Sequence, residues 1–122
     1  MPRVELVFYQ EESGVCPVNA WLTDLPKKIQ AKAEVRLERL AELGHELRRP
    51  EADYLRDEIY ELRWKGQTVN YRILYFFYGR EIVVLAHGLT KEKEIPTKEI
   101  DLAMKRKHEF EKDPKLHTYT ED

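Results

Sequence analysis

With 122 residues, 42% of them apolar and 36% charged, the chain is long enough for one buried core but not two, and too apolar to stay disordered. A net charge of −2 argues against a protein that clamps nucleic acid with its whole surface, and no apolar run approaches the roughly 20 residues a bilayer span needs. Cys16 stands alone and closes no internal disulfide. The opening Met1-Pro-Arg-Val-Glu runs straight into a strand pattern rather than a signal peptide, so the expected compartment is the cytoplasm.

Val4 to Gln10 reads as a first strand, mostly apolar and therefore inside a sheet. A turn around Ser13-Gly14 leads to Pro17, which suits a first helical position. Val18, Trp21, Leu22 and Leu25 then fall at the spacing of one helical stripe. Pro26 ends that helix and begins the next, whose stripe of Ile29, Ala33, Leu37 and Leu40 runs to Gly44, a good helix-ending residue. The two form a helical hairpin over one sheet face, its remaining Lys, Glu and Arg residues being solvated surface. His45 to Arg56 reads as a polar connection. Three strands follow, Ile59–Trp64, Thr68–Tyr78 and Glu81–His87, joined by Lys65-Gly66-Gln67 and Gly79-Arg80. After a Lys- and Glu-rich loop, Pro96 opens a last helix with Ile100, Ala103, Met104 and Phe110 on a thin apolar side. Residues 1–112 make one domain, and 113–122 read as a frayed tail. The expected architecture is α+β: an N-terminal strand, a two-helix hairpin, a three-stranded antiparallel meander and a C-terminal helix, with helices on one side of the sheet and the other side partly open.

The meander carries the candidate chemistry. Tyr60, Leu62 and Trp64 point one way while Glu61 and Arg63 point the other, and in the next strand Asn70 and Arg72 oppose the apolar Val69, Tyr71 and Ile73. Paired as a hairpin, these strands set Arg63 and Arg72 on one surface. Two guanidiniums on a rigid sheet offer planar forks of donors that stay charged, which suits phosphate. Arginines on the wet side of a half-buried sheet are equally ordinary. Residues 59–93 carry a net +3 while the segments before and after carry −3 and −2, so a local basic patch can still attract phosphate, through a short-ranged and salt-screened field. No phosphate-cradling glycine loop, nucleophile elbow or metal-spaced Cys and His pair is present, so neither metal nor cofactor is expected. Of the histidines His45, His87, His108 and His117, only His87 lies at the end of the meander, where it either carries protons or bonds to backbone.

The element order, together with Leu55-Arg-Asp-Glu-Ile-Tyr-Glu-Leu-Arg63, Asn70-Tyr-Arg-Ile-Leu-Tyr75 and Ile82-Val-Val-Leu-Ala-His-Gly-Leu-Thr-Lys91, resembles the RelE/ParE superfamily of bacterial toxins, and within it the phage-derived, HigB-like branch. That resemblance spans Val4 to about Lys112. It implies the toxin of a type II toxin–antitoxin system: a ribosome-dependent mRNA endoribonuclease that inhibits translation and arrests growth, needs no metal, and is neutralised by a cognate antitoxin of helix-turn-helix type. Such a reaction has a 2′-hydroxyl attack the adjacent phosphate, and it needs cations for the crowded phosphorane. Carried over, Arg63 and Arg72 would grip the phosphate, one of Lys91 or Lys93 would add charge after the last strand, and His87 would carry a proton. Glu61, where wider relatives have a basic residue, would act as a base or pair with Arg63. The alternatives on the same fold are a non-enzymatic, ParE-like inhibitor of DNA gyrase and an inactive relative that only binds an antitoxin.

Overall fold

In the computed structural model, which describes residues 3–90 and 94–120, the elements run β1 (Glu5–Phe8), α1 (Pro17–Thr23), α2 (Lys27–Leu43), a 3-10 turn (Gly44–Glu46), β2 (Ala52–Arg56), β3 (Ile59–Gly66), β4 (Val69–Tyr78), β5 (Ile82–Thr90) and α3 (Thr97–Lys112). All five strands form one sheet in the order β1-β5-β4-β3-β2. β2 to β5 pair antiparallel in sequence order, and β1 joins the far edge parallel to β5, Glu5 opposite Ile82. The meander and the helical hairpin lie where the sequence placed them.

Two expectations about the sheet and its helices are corrected. The polar connection contains a strand, because Ala52, buried, pairs with Leu62 while Asp53 and Arg56 tolerate the solvent of a sheet edge. The helices also do not all lie on one side of the sheet, although the second side stays partly open. α1 and α2 cover the face that holds Leu62, Ile73, Tyr75 and Leu85, while α3 covers the opposite face over Ile59, Leu74, Phe76 and Val84. Leu74 and Phe76 are the reason: both are fully buried, and leaving such side chains in water would cost about 1.5–3 kcal/mol each. The third helix is thus demanded by the second half of β4, whereas the polar start of β4, Asn70 and Arg72, lies beyond its apolar side.

Glycines let the helices press close. A Cβ on Gly66 would lie 2.1 Å from Ile29 Cδ1, and one on Gly88 would lie 2.3 to 2.8 Å from the ring of Trp21. No side chain fits either place without displacing a neighbour. The segment expected to fray also packs. Gln10 N–H donates to His117 O, Tyr119 N–H donates to Phe8 O, and the imidazole of His117 stacks on Tyr9 at 5.2 Å. It thereby satisfies backbone groups on the outer edge of β1 that would otherwise be a template for another chain.

Candidate functional site

Arg63 and Arg72 are direct cross-strand partners in the β3–β4 ladder. Residues opposite one another in an antiparallel pair share a face, so both guanidiniums rise from the surface that α3 covers further along. Glu61 stands two residues before Arg63 on that face. Its Oε2 lies 3.6 Å from Arg63 Nη1 and its Oε1 lies 3.4 Å from Arg72 Nη1. The carboxylate side chain is 5% exposed, Arg72 11% and Arg63 34%, so the triad deepens from a wet arginine to a buried acid. Burial pushes the Glu61 carboxyl above its usual range, against the pull of Arg72 and Arg63.

The ion pairs are loose. Charge-assisted contacts of this kind close to about 2.7–2.9 Å when fully made, and here Glu61 Oε1 and Arg72 Nε are buried without a hydrogen-bond partner among the described residues. Arg63 Nε donates to Pro50 O at 3.3 Å, which turns its fork toward the residues just before β2. The arrangement therefore keeps two cations side by side with donor capacity in reserve, and a single shared carboxylate prevents their mutual repulsion from opening the hairpin.

Two concavities of about 380 Å³ each adjoin the pair, and Arg63 and Arg72 line both. The first runs toward the start of α3 and includes the carboxylates of Asp53, Glu61 and Glu94. The second opens at the other end of the hairpin beside Arg36, Lys65 and Asn70, and among the described residues no acidic side chain lines it. Pattern reading missed Lys65, which it assigned to a turn. It lies in β3 at the same parity as Arg63, because the strand runs two residues further, to Gly66, before the hairpin turns at Gln67, whose φ of 55° is positive. The period-2 rule applied two residues further would have found it.

His87 shares the face of the arginines but is drawn into α3. It pairs with Leu74 beside a bulge in β5. Its Nε2 lies 2.9 Å from Glu99 Oε1 and its Nδ1 3.4 Å from Arg106 Nη1, while that same Nη1 donates to Ala86 O. A guanidinium only donates, so this network assigns Nδ1 as the acceptor and Nε2–H as the donor to Glu99. His87 lines neither concavity. Lys91 and Lys93 lie outside the described residues. β5 ends at Thr90, opposite Tyr71 and thus one residue from the Arg72 position. No helix among the described residues is long and apolar enough to cross a membrane, and they hold no group of three or more His, Cys, Asp or Glu poised to bind a metal.

Residues 20–108 match the sequence model of the family described as phage-derived protein Gp49-like (DUF891). No curated protein matches the chain.

Proposed function

The chain belongs to the Gp49-like family of phage-derived proteins, a RelE-like toxin-type family associated with toxin–antitoxin systems, and on that basis we propose that it is a HigB-like toxin that cuts messenger RNA on the ribosome. The observation that carries the reading is the Arg63–Arg72 cross-strand pair. In the proposed step the 2′-hydroxyl of one nucleotide attacks the adjacent phosphorus, a P–O bond forms to it, and the bond to the 5′-oxygen of the next nucleotide breaks. Negative charge grows on the phosphoryl oxygens in between. Two fixed guanidiniums, already gathered and partly dehydrated, stabilise that charge without reorganising at the moment of reaction. The hydroxyl proton goes to a base and the departing oxygen takes one up. Glu61, its carboxyl raised by burial, suits the first role, and Lys91 or Lys93 suits the second. His87, held by Glu99 and Arg106, serves the step only if it swings from α3.

An antitoxin of helix-turn-helix type is the proposed partner, masking the same cations until it is removed. The test expresses the chain without its antitoxin and maps mRNA 5′ ends by primer extension in a translating extract, with and without ribosomes. Ribosome-dependent cuts that disappear in Arg72→Lys and Arg63→Gln, both folded by circular dichroism, are expected. Cuts unchanged in both variants would overturn the reading. The overall charge of −2 favours, as a second reading, a ParE-like block of DNA gyrase, since a slightly acidic chain is poorly matched to ribosomal RNA. That activity would halt supercoiling with no RNA cleaved.

A further inference from the structure

The face that bears Arg63 and Arg72 is a ladder of side-chain rows, Glu61 with Leu74, Arg63 with Arg72, and Lys65 with Asn70. Successive rows on one face are two residues apart, about 7 Å along the strand. That is close to the separation of neighbouring phosphates in an extended RNA strand. Beyond the arginine row the charge changes character. Toward α3 the concavity mixes cations with Asp53, Glu61 and Glu94, but on the side of Lys65 the charged groups that the described residues contribute to the lining are all cations.

Two further details fit that side to an anion. Lys65 is exposed, and no carboxylate of the described residues lies within ion-pair distance of its ammonium, while its backbone carbonyl accepts from Lys32 Nζ and so fixes the strand edge. Arg36 reaches the rim from α2 with its guanidinium oriented by Glu51, 2.8 Å away. Glu51 does not cancel the site, because Arg39 also grips it through both oxygens, at 2.8 and 2.9 Å. Two arginines on one carboxylate leave a positive excess. α3 stops short of this end, since its buried residues Ile100, Ala103 and Phe110 pack on the Leu74 to Phe76 part of the face.

We propose that this concavity seats a second RNA phosphate, next along the strand from the one held by Arg63 and Arg72, with Lys65 and Arg36 as its binding residues. The inference rests on the ribonuclease reading and adds to it a substrate path of at least two consecutive phosphates. Lys65 and Arg36 position the strand and take no part in proton transfer.

The test titrates the full chain with two fully 2′-O-methylated, uncleavable oligonucleotides, one a dinucleotide with a single phosphate and the other a trinucleotide with two, and follows the arginine side-chain NMR signals. The trinucleotide should bind wild type roughly tenfold more tightly, with a salt slope steeper by about 0.7. In Lys65→Gln that advantage should shrink to about twofold or less while affinity for the dinucleotide holds, as expected for one lost phosphate contact. Arg36→Lys, which keeps the charge, should retain most of it. Equal binding of both oligonucleotides by wild type, or a full advantage in Lys65→Gln, would overturn the second seat and leave the arginine pair standing. If neither oligonucleotide shifts the signals of Arg63 and Arg72, the second seat falls, while the ribonuclease reading stands or falls on the ribosome-dependent cleavage assay.

Discussion

Replacing Arg72 by methionine isolates the energetics of the buried triad. The substitution keeps most of the apolar stem but removes the nearer of the two cations facing Glu61, a side chain 5% exposed. Stripping a buried carboxylate of its partner costs on the order of 3–5 kcal/mol. Here the contact is loose and Arg63 remains 3.6 Å away, so about 2–3 kcal/mol is expected at neutral pH. The loss must depend on pH, and its sign follows from burial, which already holds the Glu61 carboxyl above its usual range. Without Arg72 that carboxyl rises further. A group raised in the folded state contributes stability that is complete below its unfolded value, near 4.3 for glutamate, and lost as pH climbs through the folded value. Wild type and variant should therefore have similar urea midpoints near pH 4 and separate as pH rises toward 8, read by tryptophan fluorescence. Adding Glu61→Gln to Arg72→Met should remove the pH-dependent part of the gap. A gap of constant size from pH 4 to 8 would refute the reasoning, since it would mean that Glu61 does not sense Arg72.

Gly88→Ala should cost about 1–3 kcal/mol by overpacking, because the added methyl would meet the Trp21 ring; pairing it with Trp21→Leu should recover part of that loss, and strict additivity in the double mutant would disprove the contact. Tyr9→Phe deletes a hydrogen bond from the phenol to Glu109 and should lower stability by about 1 kcal/mol. Burial first, and that bond second, hold the Tyr9 hydroxyl well above its usual range. The deficit of Tyr9→Phe should consequently be constant up to about pH 10 and shrink above it, as followed by denaturant titration in alkali. Ending the chain after Lys115 removes the backbone bonds to Phe8 and Gln10 and the stack on Tyr9. Amide exchange at Gln10 should then accelerate, and unchanged protection there would show that the C-terminal segment contributes nothing to the edge.

The parts of this fold that were legible are those written in period. Alternation gave β3, β4 and β5, and the stripes of Val18, Trp21 and Leu22 and of Ile29, Ala33 and Leu40 gave α1 and α2. The opposed arginines were legible for the same reason, because a period of two determines the face whatever the partner strand. β2 escaped since an edge strand of five residues has only one fully buried position, Ala52, and looks like a loop by composition. The covering of the second face was visible in Leu74 and Phe76 but was masked by the polar Asn70 and Arg72 that precede them on that face. Within the site, what no pattern can give is depth. Glu61 reads as an exposed acid in the sequence and is buried between two cations in space. The engagement of His87 by Glu99 and Arg106 likewise depends on α3 crossing β5, a contact between segments 12 and 19 residues apart. The docking of His117 on Tyr9, across 108 positions, leaves no local trace at all.

The parallel register of β1 on β5, Glu5 opposite Ile82, sets an order of assembly during synthesis. The strand made first has no neighbour until the strand made last among the five has emerged, whereas the hairpins of β2 to β5 close over short loops and need nothing from the N-terminus. His117 and Tyr119 clasp the outside of β1 later still. A nascent chain thus gathers Arg63 and Arg72 onto one surface well before its sheet is complete, and pulse-labelled amide exchange should find the hairpin of β3 and β4 protected ahead of Val7 and Tyr9.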